Sequence, residues 1–114
     1  MRILKLLLSI TIGLLCVSWL FAAKDVNPVK GNEAKGRYYF RQNCKECHTK
    51  GAKGGEVTPL TKTMAQWKLY FEKGKHSGVA DGLAKILTPE QLHDVQTFLV
   101  NHAVDSPQPE TCGK

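Results

Sequence analysis

At 114 residues, with sixteen Lys and Arg against ten Asp and Glu and a formal net charge of +6, the chain holds one domain at most. Removing Arg2 and Lys5 from the count leaves fourteen against ten, a mild net of +4. That excess forms no stripe of the kind that tracks a phosphate backbone, so nucleic acid is not an expected partner. A solvated basic surface, or docking to an acidic protein, is what remains.

Met1 to Ala23 reads as an export segment. Arg2 and Lys5 give it a positive start, Leu6 to Ala22 is an uncharged apolar run, and Ala22-Ala23 offers small residues for cleavage. Bulky Phe21 near that point, and a run approaching the ~20 residues that span a bilayer, keep an uncleaved membrane anchor as the alternative. Either way the rest of the protein is expected outside the cytoplasm, in the periplasm or its equivalent. Cys16 follows Leu15, where a lipid-attachment site needs a small residue, and reads as one more apolar position of the run.

Residues 24–31, with Pro28, form a polar linker ahead of a domain expected over 32–104. Asn32 is placed to cap a first helix, with Glu33 and Ala34 in its first turn and Tyr39, Phe40 and Cys44 as its apolar surface. Thr49 to Pro59 carries Gly51, Gly54 and Gly55 and reads as a loop. Thr61 or Thr63 caps a second helix, in which Met64, Trp67, Leu69, Tyr70 and Phe71 form a broad apolar face before Gly74 stops it. Lys75 to Lys85 loops back. The last helix has the strongest start signal, since Thr88 caps, Pro89 takes the first helical position and Glu90-Gln91 follow. Leu92, Val95, Phe98 and Leu99 recur at helical spacing. A non-helical tail, residues 105–114, carries Pro107 and Pro109. The fold class is all-α, three or four short helices joined by long loops.

The chemistry lies in Cys44-Lys45-Glu46-Cys47-His48. In Cys-x-x-Cys-His, two thiols can add across the two vinyl groups of one haem while the adjacent imidazole ligates its iron. Cys44 and Cys47 would supply the thioethers and His48 the proximal nitrogen. A redox dithiol and a zinc site are the competing readings. The first lacks its usual strand-then-helix setting and the second lacks another close ligand pair.

Around this motif the chain resembles the small class I cytochromes c, from Glu33 to Ala103. Gly36-Arg37-Tyr38-Tyr39-Phe40 and the cysteine pair that follows match that family's first helix and haem site. The resemblance implies a cytochrome c-like fold around one covalently attached haem c and its iron. It implies that Gly36 lets the last helix cross closely at Val95 and Phe98, with Phe40 packed into the crossing. Thr58-Pro59-Leu60 is similar to the element whose proline carbonyl accepts the proximal histidine's ring N–H, which would make Pro59 orient His48.

The chain departs from the family on the distal side. The usual methionine lies shortly before the last helix, and no methionine stands between Gly74 and Leu87. His76, just past the Lys73-Gly74 stop, is the expected sixth ligand to iron; Met64 is the alternative, followed by His102, His93 or an open position. His93 and His102 otherwise read as surface residues. Trp67, Tyr70 and Phe71 read as core that includes the haem wall, and the Trp67 indole N–H is a candidate partner for a haem propionate. Lys68, Lys73 and Lys75 could ring an exposed haem edge. Cys112 is unpaired and reads as a free thiol or a link between chains; nothing signals an oligomeric state.

The expected function is one-electron transfer between a protein donor and a protein acceptor, without enzymatic turnover. A haem sensor or enzyme with an open or displaceable sixth position is the alternative.

Overall fold

A computed structural model describes residues 29–111. The export or anchor segment, Cys16 and Cys112 lie outside the described residues. Within them, three α-helices carry the fold: α1 (Glu33–Asn43), α2 (Met64–Lys73) and α3 (Pro89–Asn101), with 3₁₀ turns at Pro59–Thr61 and Gly82–Lys85. A single isolated bridge between His76 and Val79 is the sole β pairing among the described residues. The all-α expectation holds.

Each helix begins where a side chain can satisfy its first free N–H groups. Asn32 accepts from the Lys35 amide at 2.9 Å. Thr63, rather than Thr61, caps α2 in a reciprocal box with Gln66, and Thr88 does the same for α3 with Gln91. Thr61 instead closes the 3₁₀ turn that Thr58 caps. Gly74 ends α2 in the left-handed region at φ 64°, which an L side chain enters only at a cost.

α3 is the centre of the core. Val95, Thr97, Phe98, Leu99 and Val100 are all buried, because α1 covers one side of the helix and α2 another. The α1–α3 crossing is close: a Cβ built on Gly36 would collide with the Asp94 carbonyl and stand 3.0 Å from the Phe98 Cβ. The tightest approach is therefore to Asp94 and Phe98. Val95, expected at that crossing, is buried on the cavity side instead. Phe40 packs beside Phe98 with ring centroids 5.8 Å apart. On α2, Met64 and Trp67 are buried, but Leu69 is 49% exposed. Two residues beyond Trp67 is about 200° of helical turn, so Leu69 faces solvent rather than joining the apolar stripe.

The ends of the domain are tied to its helices. Val29 exchanges two hydrogen bonds with the Asn101 side chain, at 2.9 and 3.0 Å, and the Asn32 amide donates to Asp94 at 3.0 Å. His93 donates Nε2–H to the Lys30 carbonyl at 3.0 Å. The tail folds back: Glu110 forms a two-pronged pair with Arg37 at 2.8 and 3.3 Å, and the Met64 amide donates to Asp105 at 2.7 Å. His102, expected at the surface, has a side chain only 14% exposed because Glu33 and the Gln108 carbonyl hold its ring nitrogens.

This clasp has a pH signature. The Asn101 amide at 2.7 Å, opposed by partial burial and aided by His102, holds the Glu33 carboxyl below its ordinary value. A depressed carboxyl contributes stability that is present above its unfolded pKa and lost as pH falls through the folded one. Glu33→Gln is expected to remove that increment, so the gap between wild-type and variant urea midpoints should close as the titration moves into the acid range.

Candidate functional site

The last turn of α1 delivers the motif. Cys44 caps α1, its amide donating to the Phe40 carbonyl at 3.0 Å, and a tight turn follows in which the His48 amide donates to the Cys44 carbonyl at 3.0 Å. Cys44, Cys47 and His48 thereby line one cavity of about 360 Å³, within the ~300–1,000 Å³ typical of cofactor pockets. Its walls are chiefly apolar, with Phe40, Trp67, Leu83, Leu87, Val95 and Leu99 among them.

The glycine loop after the motif has a positional role. It is closed by bonds from Gly54 N to the Cys47 carbonyl (2.7 Å) and from Val57 N to the His48 carbonyl (3.1 Å). A Cβ at Gly54 would stand 2.6 Å from the His48 ring, so only glycine lets this loop reach the imidazole. The His48 Nδ1 lies 3.1 and 3.2 Å from the Gly54 and Gly55 carbonyls. Carbonyls only accept, so Nδ1 carries the proton and Nε2 the lone pair.

Pro59 has a different partner from the one its sequence context suggests. Its carbonyl accepts the Trp67 indole N–H at 2.9 Å in a buried hydrogen bond. The 3₁₀ turn brings that carbonyl under the first turns of α2, where the indole meets it, while the Gly54-Gly55 loop takes the histidine. The Trp67 N–H is consequently engaged inside the protein rather than offered to a carboxylate in the cavity. Trp67→Phe keeps the ring packing but strands a buried carbonyl, and is expected to lower unfolding free energy by about 1–3 kcal/mol in urea titrations.

His76 lies on the same cavity as His48, with ring centroids 5.8 Å apart and planes at 68°. Met64 is 1% exposed in the core and is not part of the cavity wall. His93 and His102 are also away from it, held at Lys30, Glu33 and Gln108. Of the lysines, Lys68, Lys73 and Lys75 do not line the cavity; Lys62 does, with its ammonium 5.7 Å from the Trp67 ring centroid and 6.0 Å from that of Tyr70. Sequence alone singles out neither Lys62 nor the part Gly54 plays at His48. Gly54-Gly55 was legible as a loop, but nothing in a glycine pair says where its carbonyls point.

Burial pushes the Cys44 thiol up to about 11, while Cys47 is exposed and both thiols are free. A redox dithiol needs a thiolate made easier to form, so this environment opposes that reading. Zinc needs four converging ligands. Among the described residues no group of three or more His, Cys, Asp or Glu side chains converges on a point.

The protein-family model for cytochrome c matches residues 33–102, from the first residue of α1 to the residue after α3. Neither the curated proteins nor the solved structures compared with the chain gave a match.

Proposed function

The chain belongs to the cytochrome c family, whose members hold haem c covalently and transfer electrons, and from that premise we propose that it carries a single haem on Cys44 and Cys47 and shuttles one electron at a time. The observation that carries this reading is the convergence of both thiols and the His48 imidazole on one largely apolar cavity. Donor chemistry and shape both suit the group: two thiols for thioethers, an imidazole with its Nε2 lone pair unengaged, and apolar walls for a macrocycle.

When bound, the haem supplies an iron that alternates between ferric and ferrous states. The chain's own residues do the rest. The Gly54 and Gly55 carbonyls hold the His48 proton at Nδ1, which fixes the ring and raises the basicity of the nitrogen offered to iron. Trp67, locked by Pro59, keeps one wall rigid, and Phe40, Val95 and Leu99 exclude water. A site that barely moves between oxidation states wastes little energy on reorganisation, which is what an electron carrier needs.

The protein is proposed to act outside the cytoplasm, on the strength of Met1–Ala23, between redox proteins with acidic docking surfaces suited to its lysines. None of the described helices is long and apolar enough to cross a membrane. The test is made on protein matured in a host that attaches haem. The denatured chain should keep a haem absorbance, its mass should exceed the polypeptide by one haem, and a redox titration should fit a single one-electron step. Absence of covalent haem, or rapid turnover of peroxide by the native protein, would sink the carrier reading.

A further inference from the structure

We propose that His76 is the second axial ligand of the iron, opposite His48, so that the haem is held between two histidines. This rests on the haem reading above and goes beyond it, because membership of the family leaves the distal ligand of this chain open.

Four histidines lie in the described residues, and their surroundings separate them into two kinds. His93 and His102 each spend Nε2 on a hydrogen bond, to Lys30 and to Glu33. His48 and His76 instead give Nδ1–H to backbone carbonyls, His76 to that of Ser77 at 2.9 Å, and so each keeps its lone pair on Nε2. Metal-binding histidines are oriented in this way, with one nitrogen held by a carbonyl and the other left for the metal. The same two residues, and no other histidine, line the cavity.

Their separation fits. An imidazole nitrogen sits about 2 Å from a first-row metal, and its ring centre about 1 Å further, so two rings on opposite sides of one ion have centroids roughly 6 Å apart. The observed value is 5.8 Å. Nor does His76 hang on a free strand of chain. Its loop leaves α2 at Gly74 and is closed when the Leu83 amide donates back to the Gly74 carbonyl at 2.9 Å, with Val79 N bonded to the His76 carbonyl at 3.2 Å. Val79 and Leu83 themselves line the cavity, so the closed loop lies along it and carries the imidazole in. Met64, the competing ligand, is enclosed in the core and would have to leave it.

The consequence is a closed, low-spin site with a lower reduction potential than a histidine–methionine one. The haem-loaded full chain should give a ferric spectrum without the methionine-to-iron charge-transfer band, and its reduced form should bind carbon monoxide slowly or not at all. His76→Ala should turn high-spin, bind carbon monoxide rapidly, and recover the low-spin spectrum on adding imidazole. His76→Met should gain the methionine band and shift to a higher potential, which keeps a test available if the alanine variant does not accumulate. A methionine band in the native protein that disappears in Met64→Leu overturns the assignment. So does an unchanged ferric spectrum in His76→Ala, or an unchanged potential in His76→Met. Covalent haem in the denatured native chain separates the two readings: its absence defeats the haem itself, whereas its presence with an unmoved spectrum defeats only His76.

Discussion

Gly36→Ala is expected to destabilise the haem-loaded protein by about 3 kcal/mol, the upper part of the range for overpacking a tight contact. The sign is the informative part. Gly36 lies inside α1, where replacing glycine by alanine normally stabilises a helix by roughly 0.5–1 kcal/mol. Here the added methyl would collide with the Asp94 backbone carbonyl and press on the Phe98 Cβ, 3.0 Å away. Backbone cannot rotate aside as a side-chain tip can, so α1 and α3 must move apart. That motion would loosen Phe40 against Phe98 and the Asn32–Asp94 bond at the same time. Urea unfolding of the holoprotein measures the effect. A neutral or stabilising outcome would show that helix propensity, not the crossing, governs this position.

Much of this architecture is written locally and could be read from the chain. The capping residues Asn32, Thr63 and Thr88 and the stop at Gly74 act within one helical turn, so sequence alone carries them. Cys44, Cys47 and His48 are likewise set by the spacing of a single turn. What sequence did not carry is long-range pairing. The Pro59 carbonyl has two credible N–H donors, and the choice of Trp67 over His48 depends on where the Gly54-Gly55 loop places its own carbonyls. Similarly, His102 looks like an ordinary polar residue at the end of a helix. Only the return of the tail, with Glu110 reaching Arg37 and Gln108 reaching His102, makes it a half-buried tie. Leu69 shows a different failure: a run of apolar residues exceeded the width of the face that could be buried, and the helical period decided which one was left out.

The double variant Cys44→Ala, Cys47→Ala is expected to release its haem into organic solvent and, once freed of it, to lose most of its far-ultraviolet helix signal. The reason is the size of the cavity relative to the domain. A void in a protein interior costs about 24 cal/mol per Å³, so about 360 Å³ left unfilled would cost up to roughly 9 kcal/mol. Water entering through the open side lowers that figure. Even so, it is comparable with the entire stability of a small domain, about 5–15 kcal/mol. The domain cannot close over the space without rearranging, since all three helices contribute to its wall through Phe40, Trp67, Val95 and Leu99. Covalent attachment keeps the group at the site at any dilution, whereas a haem held by its histidine ligands without thioethers would stabilise only by mass action. Circular dichroism and urea titration of the freed variant beside the wild-type holoprotein decide the matter. A variant that keeps native helix content and a cooperative transition without haem would mean that the three helices close on their own, and that the cavity is a property of the fold rather than of its cofactor.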